Sequence, residues 1–342
     1  MYKPGRRVAT PMVETPHNTA HVSRIDFHGR VRDLALELLP PVISRQVVRQ
    51  VGRRKLERVS ALEELDDWIR RADAAHAVSD DELRRVLGMF EFVTDTKMPR
   101  DPFSKAYQVA QKELYAKISG HRDYRAEEHE QTPFDLSAAQ HLPFPYSTYS
   151  TATVGEQLVR QGFLLRQLGL RPRARIVEFG SGFGNLTLEL AKMEVSVTAV
   201  DVNPKFGELI SRRSRQLGLE IQFVTSDMLD YQADEPFDAA IFFESFHHCS
   251  DHLQMLRNLV HIVKEQGIVA FGSEPITALP YPWGLRLDGM SVWSTRKFGW
   301  LENGFTPRYF IKALDRTGWK AEIIHSRDVP GCSVIVARRH AA

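Results

Sequence analysis

Residues 176–184, Ile-Val-Glu-Phe-Gly-Ser-Gly-Phe-Gly, constrain the fold more than any other stretch of this 342-residue chain. A short apolar run carrying one acid breaks into glycines at 180, 182 and 184. It then passes at once into the helical run Asn185-Leu186-Thr187-Leu188-Glu189-Leu190-Ala191. A buried strand feeding a glycine turn and then a helix lets the backbone approach a ligand where any side chain would collide. Seventeen residues beyond Gly184, a second apolar run from Val195 to Val200 ends in Asp201, an acid placed to accept hydrogen bonds from ribose hydroxyls. The pattern predicts a nucleoside-bearing cofactor.

Downstream the pattern alternates steadily: strand 176–179, helix 185–192, strand 196–200, helix 204–217, strands 221–225 and 237–243, helix 251–263, strand 267–272. Such alternation implies a parallel sheet covered on both faces. An aromatic, proline-rich insertion (274–304) follows, then a helix over 306–317. Two last strands, 319–325 and 332–338, are joined by a turn around Pro330-Gly331 short enough for an antiparallel hairpin. Upstream, Gly155 to Leu170 is an amphipathic helix leading into the first strand. From Val31 to about Ile118 the apolar spacing is also helical: Leu62, Leu65, Trp68 and Ile69 form one stripe, and Leu83, Val86, Leu87 and Phe90 repeat it. Ser79 with Glu82 three residues on predicts a helix start. Residues 1–28, rich in Pro, Thr, His and Arg without periodicity, read as a mobile arm. The expected organisation is an arm (1–28), a helical region (29–145) and an α/β domain (146–342) whose insertion 274–304 serves as a lid.

The formal charge of +2 gives no overall pull toward nucleic acid or membrane, but its distribution is uneven. Residues 1–60 carry 12 Lys/Arg against 5 Asp/Glu, whereas 61–145 carry 11 against 17. Arg45, Arg49 and Arg53 share a helical face near Val47, Val48 and Val51, which suits peripheral contact with an anionic membrane. Cys249 and Cys332 have neither metal nor redox spacing, so no disulfide framework and no metal are expected. Cys249 reads as a small buried packer. With no signal-like or membrane-spanning apolar segment, the expected compartment is the cytoplasm.

Glu178 discriminates between cofactors. A dinucleotide fold wants Gly-x-Gly-x-x-Gly and a pyrophosphate on the helix N-terminus; here the spacing is Gly180-x-Gly182-x-Gly184, with a carboxylate two residues ahead. That carboxylate repels phosphate but attracts a cationic sulfonium and ammonium. Four motifs stand in register with this loop. They are Val200-Asp201-Val202-Asn203, Ser226-Asp227-Met228, the run from Phe237 through Glu244-Ser245-Phe246-His247-His248, and Gly267-Ile268-Val269-Ala270-Phe271. Over roughly 150–342 the chain resembles the class I S-adenosylmethionine-dependent methyltransferases. The resemblance implies a Rossmann-like seven-stranded sheet with its last strand antiparallel, an α-helical region in front, and S-adenosyl-L-methionine as cofactor. It implies cofactor contacts from Glu178, Gly180, Ser181, Gly182, Gly184, Asp201, Val202, Asp227, Met228 and Glu244. Asp201 would take the ribose, Asp227 the adenine amino group, and Met228 the ring.

Methyl transfer from a sulfonium is chiefly an alignment problem, but an oxygen acceptor must also lose a proton. His247 and His248, just past the fourth strand, and Glu274, directly after the fifth, stand where a general base belongs. The Glu244-Ser245-Phe246-His247 stretch lacks the Asn/Asp-Pro-Pro-aromatic tetrad usual in base-modifying enzymes of this fold, so nucleic acid is not the expected substrate. Tyr281, Trp283, Trp293, Phe298 and Trp300 in the insertion suit sugar faces as well as ordinary packing. A looser likeness of 274–310 and Pro143-Phe144-Pro145-Tyr146 to methyltransferases of bacterial glycan assembly favours O-methylation of a glycan or small polar metabolite. Two alternatives stay open: a small-molecule N- or C-methyltransferase, and a non-catalytic, cofactor-binding regulatory subunit. A homodimer formed through the N-terminal helices is compatible with either.

Overall fold

The computed structural model describes residues 56–141, 151–327, 329 and 331–340. The arm at 1–28, the basic face around 45–53 and the segment Pro143–Tyr146 lie outside the described residues. The described residues pack as one unit.

The first described elements are β1 (Glu57–Val59), α1 (Leu62–His76), α2 (Asp80–Leu87), β2 (Phe90–Phe92) and α3 (Lys105–Ser119), with β1 and β2 paired in parallel. The helix start expected at Ser79 is realised, its Oγ accepting from the Glu82 N–H at 3.1 Å. The helical stripes do what their spacing requires: Leu65, Trp68, Leu83, Val86 and Leu87 are buried in a shared core. Two short helices, α4 (Ala126–His129) and α5 (Leu136–His141), follow.

After α6 (Thr151–Leu168) comes the alternating half: β3 (Arg175–Phe179), α7 (Asn185–Lys192), β4 (Ser196–Asp201), α8 (Pro204–Leu217), β5 (Gln222–Thr225), β6 (Phe237–Phe243), α9 (His252–Ile262) and β7 (Val263–Gly272). The insertion contributes β8 (Trp283–Leu285), α10 (Gly289–Phe298) and β9 (Asn303–Phe305). The chain ends in α11 (Pro307–Arg316), β10 (Trp319–His325) and β11 (Ser333–Arg339). The seven-stranded sheet has the order β10-β11-β7-β6-β3-β4-β5, and β11 runs antiparallel to both neighbours. β7 starts four residues before its expected position because Val263 lies opposite Phe237; the register then shifts across an irregularity, and regular pairing resumes with Ile268 opposite Ala239.

Side-chain alternation divides the core between the two faces of the sheet. Ile176, Ala239, Ile241, Ile268, Ala270 and Val334 pack under Leu164, Leu186 and Leu190. Val177, Phe179, Phe242, Val269, Phe271 and Ile335 meet Leu256, Leu259, Phe310 and Leu314 on the other side.

The insertion is less a loose cover than a piece of the helical region's own core. Leu285, Val292, Trp293 and Leu301 bury among α1, α2 and α3. Polar contacts tie the same faces: Arg296 grips Asp66 through Nε–Oδ1 (2.8 Å) and Nη2–Oδ2 (3.0 Å), and Tyr115 Oη donates to Gly299 O at 2.6 Å. Among the described residues no helix is long and apolar enough to cross a membrane.

Candidate active site

Parallel strands deliver their carboxyl ends to one edge, and there the glycine loop leaves β3. Gly180, Gly182 and Gly184 have φ of +67°, +51° and +74°, the left-handed region that side chains avoid. A Cβ at Gly180 would also sit 2.4 Å from Ser245 Cβ, so the loop presses against the end of β6. Asp201, at the tip of β4, accepts from the N–H groups of Gly182 and Asn203, both at 2.9 Å, and so ties the second strand to the loop. Glu178 is buried in the last turn of β3 and accepts from Thr187 Oγ1 of α7 at 2.5 Å. Burial pushes the Glu178 carboxyl up to about 8; Asp201 is raised to about 6 by burial, its two backbone N–H donors notwithstanding.

A cavity of about 310 Å³ opens at this edge. Glu178, Gly180, Ser181, Gly182, Asp201, Val202, Asp227, Met228 and Glu244 all line it. Gly184 does not. It is the N-cap of α7, and its Cα packs where a side chain would strike Ile210 at 2.4 Å, so its role is to set the helix. Asp227 accepts from Leu229 N–H at 2.9 Å and is raised by burial. Tyr124, Glu130, Thr132, Gln161, Asn185 and Trp300 complete much of the wall and were not assigned to the cofactor from sequence. Glu130 and Tyr124 come from the helical region, which is therefore part of the site.

Beside the cavity lies a second cluster. Glu244 and Ser273, following β6 and β7, have φ of +54° and +55°, so both strands turn sharply as they leave the sheet. The turn carries His247 and His248 on a single 3-10 turn. Glu274 accepts four hydrogen bonds: from Ser245 N–H (2.8 Å), Phe246 N–H (2.9 Å), His247 N–H (3.1 Å) and His247 Nδ1 (2.8 Å). Burial acts to raise its carboxyl, but the His247 imidazole and these backbone donors hold it below the usual range. Glu274 is thus corrected from a candidate base to the anchor that orients the His247 ring, since both its oxygens are committed. His248 lines the cavity, its Nδ1 3.2 Å from Glu130 Oε2. Burial disfavours charge there, but Glu130, followed by Glu302 and Glu274, outweighs it and lifts His248 to about 9. Cys249 is buried and its thiol pushed well up by that burial, consistent with a packing role. Of the insertion's aromatics, Trp300 lines the cavity, whereas Trp283 and Trp293 are core residues, donating to Pro102 O (2.8 Å) and Asp73 Oδ1 (3.1 Å).

Residues 176–267 match a family model described as a methyltransferase domain. This stretch of the chain is a methyltransferase domain. The ubiquinone biosynthesis O-methyltransferase of Xanthomonas campestris pv. campestris is 27% identical over 111 residues, 32% of this chain and 46% of that protein. The probable cobalt-precorrin-6B C(15)-methyltransferase (decarboxylating) of Thermoplasma acidophilum is 30% identical over 102 residues, 28% of this chain and 50% of that protein. The chain thus spans about half the length of the curated relatives it matches. Among solved structures, a SAM-dependent methyltransferase from Aquifex aeolicus aligns with a TM-score of 0.42 and 18% identity, covering 60% of this chain and 98% of that one.

The methyltransferase cavity fits its cofactor on a structural criterion independent of these matches. Ser181 Oγ, Asn185 Nδ2, Gln161 Oε1 and Trp300 Nε1 are buried, line the cavity, and find no hydrogen-bond partner among the described residues. Buried polar atoms are seldom left so. A ligand bearing an ammonium, a carboxylate and a ribose supplies donors and acceptors for such atoms, while Glu178 and Asp201 supply countercharge.

Proposed function

We propose that the protein transfers the methyl group of S-adenosylmethionine to a hydroxyl of a glycan or similar small polar metabolite. The observation that carries this reading is the imidazole–carboxylate cluster at the cavity wall. A hydroxyl acceptor must surrender a proton as the new bond forms, whereas an amine or activated carbon needs no such group. S-adenosylmethionine, when bound, supplies an electrophilic methyl on a good leaving group. The protein's own tasks are then placement and proton removal. Glu178, Ser181, Asn185, Asp201 and Asp227 would hold the cofactor; Glu274 fixes the His247 ring, which receives the acceptor proton, while His248, lifted to about 9 beside Glu130, stays charged at the wall. The polar wall formed by Glu130, Thr132, Gln161 and Glu244, together with the rings of Tyr124 and Trp300, supports a polar acceptor with a flat apolar face. The O-methyltransferase relative supports oxygen as the acceptor atom.

The test is transfer of labelled methyl from S-adenosylmethionine to panels of sugars and hydroxylated metabolites, followed by His247→Ala and His248→Ala. At least one variant should lose about 10²-fold or more in kcat while retaining cofactor affinity. Wild-type rates in both would remove the cluster from catalysis and favour an N- or C-acceptor.

A further inference from the structure

We propose that His247, His248 and Glu302 form a binding site for a divalent cation of the zinc type beside the cofactor cavity, whose wall His248 reaches. One ligand atom from each of these residues lies within 4.8 Å of the other two. His247 and Glu302 are buried, with side chains 10% exposed, and His248 is 23% exposed.

Two local details point to an ion rather than to a self-contained hydrogen-bond network. Glu274, already accepting three backbone N–H groups, accepts a fourth bond from His247 Nδ1, which fixes the proton on that nitrogen. Nε2 is then a bare lone pair, and it faces Glu302 Oε2 at 3.8 Å. Two acceptors confronting each other at that distance have no hydrogen bond to make, yet the separation is close to that of two ligands on one metal. Ligand bonds of about 2.0–2.2 Å ask the pair to close by only a few tenths of an ångström. Second, His248 Nδ1 is buried and makes no hydrogen bond: it lies 3.2 Å from Glu130 Oε2 but out of line with it. The same carboxylates that favour a proton on this ring would favour a metal ion in the proton's place.

The surroundings complete the arrangement. The hydrogen bond from His247 to Glu274 is the outer contact that metal-binding imidazoles characteristically make, because it sets the tautomer and the ring plane. Three carboxylates, of Glu130, Glu274 and Glu302, converge on two imidazoles. Arg286, one-quarter exposed, approaches Glu302 at 3.8 Å. A mixed nitrogen and oxygen set favours zinc, cobalt, manganese or iron(II) over magnesium or calcium. The ligands come from two segments 55 residues apart with no metal-motif spacing, so the site is not legible from the sequence alone. The acidic group Glu127, Asp227 and Asp230, in which Glu127 and Asp230 are exposed, has no imidazole. In the reading proposed above, an ion here would lower the pKa of a hydroxyl bound to it, so that consequence rests on O-methylation. The binding site itself does not.

The experiment needs neither acceptor nor cofactor. Chelator-treated full-length protein is titrated with Zn²⁺ and with Co²⁺, following heat and the visible absorption of bound cobalt, with Mg²⁺ for comparison. We expect one ion per chain, cobalt bands of low-coordinate character, and at least tenfold weaker binding in His247→Ala and in the isosteric Glu302→Gln. Glu127→Gln with Asp230→Asn should bind as wild type. Each variant's fold is checked by S-adenosylhomocysteine binding, and Glu302→Gln covers the case in which His247→Ala does not fold. Absence of Zn²⁺ binding tighter than about 1 mM, or tight binding unaltered by Glu302→Gln, overturns the site while leaving methyl transfer standing. Stoichiometric metal binding without methyl transfer to any acceptor overturns the O-methylation reading and leaves the site.

Discussion

Gly180 shows how little room the cofactor loop has. Its φ of +67° and the 2.4 Å approach of a built Cβ to Ser245 Cβ act together, because Ser245 is itself held by donation from its Oγ to Phe179 O at 2.7 Å. Gly180→Ala therefore strains the backbone and displaces the β6 end, at a combined cost of about 1–3 kcal/mol. Since that end carries part of the cavity wall, the strain should surface as weaker cofactor binding. We expect S-adenosylhomocysteine affinity to fall at least about tenfold, equivalent to ~1.4 kcal/mol, as measured by calorimetry. Unchanged affinity would mean that the loop is not the seat of the ligand. Gly182 differs: nothing lies within 4 Å of its built Cβ, so only its φ resists substitution and the loss there should be smaller.

At the scale of elements, the insertion separates two uses of aromatic residues. Trp293 on α10 is 7% exposed, packs with Leu65 and Leu87, and donates to Asp73. Trp293→Ala should cost about 3–5 kcal/mol in denaturant unfolding with cofactor affinity intact at low temperature. The reverse pattern, stable protein with lost affinity, would make it a ligand contact. This is also where sequence reading ran out. The strands and helices of the sheet were legible because burial on one or both faces imposes periods of 2 and 3.6 residues, and Asp201 was legible because it terminates such a run beside a helix start. Spacing cannot say whether a buried ring faces a core or a ligand, so Trp283, Trp293 and Trp300 looked alike. Glu130, Gln161 and Glu302 were missed for a related reason. Glu130 and Glu302 are lone polar residues outside any periodic pattern, brought to the site when the helical region and insertion pack; Gln161 sits within the helix leading into the first strand, where spacing does not show which polar residue faces a ligand. Glu274 was singled out, but the four donors it accepts come from a segment nearly thirty residues earlier and could not be read from spacing.

For the whole molecule, the cavity's acidity should couple stability to pH through the cofactor. Glu178 and Asp201 both have folded pKa values, about 8 and about 6, above their ordinary 4.5 and 3.8. A carboxyl raised on folding binds its proton more tightly in the native state. Its contribution to stability is therefore complete below the unfolded pKa and is lost as pH rises through the folded one. Without cofactor, these two groups make the protein progressively less stable from about pH 4 to about pH 8, the span of the shifts just given. A cationic ligand reverses the preference, since its charge favours the ionised forms. Cofactor binding at pH 7 should then release a proton from Glu178, and affinity for S-adenosylmethionine should climb toward pH 8 and level off above it. In melting experiments the shift caused by saturating cofactor, worth about 2.7 kcal/mol at a hundredfold excess over Kd, should widen between pH 6 and 8. Glu178→Gln removes the titrating group, keeps an acceptor for Thr187, and should flatten most of that dependence while weakening binding. Calorimetry in buffers of different ionisation enthalpy counts the proton directly. A wild-type protein that binds the cofactor with no proton release and equal affinity at pH 6 and 8.5 would show that Glu178 does not face the cation.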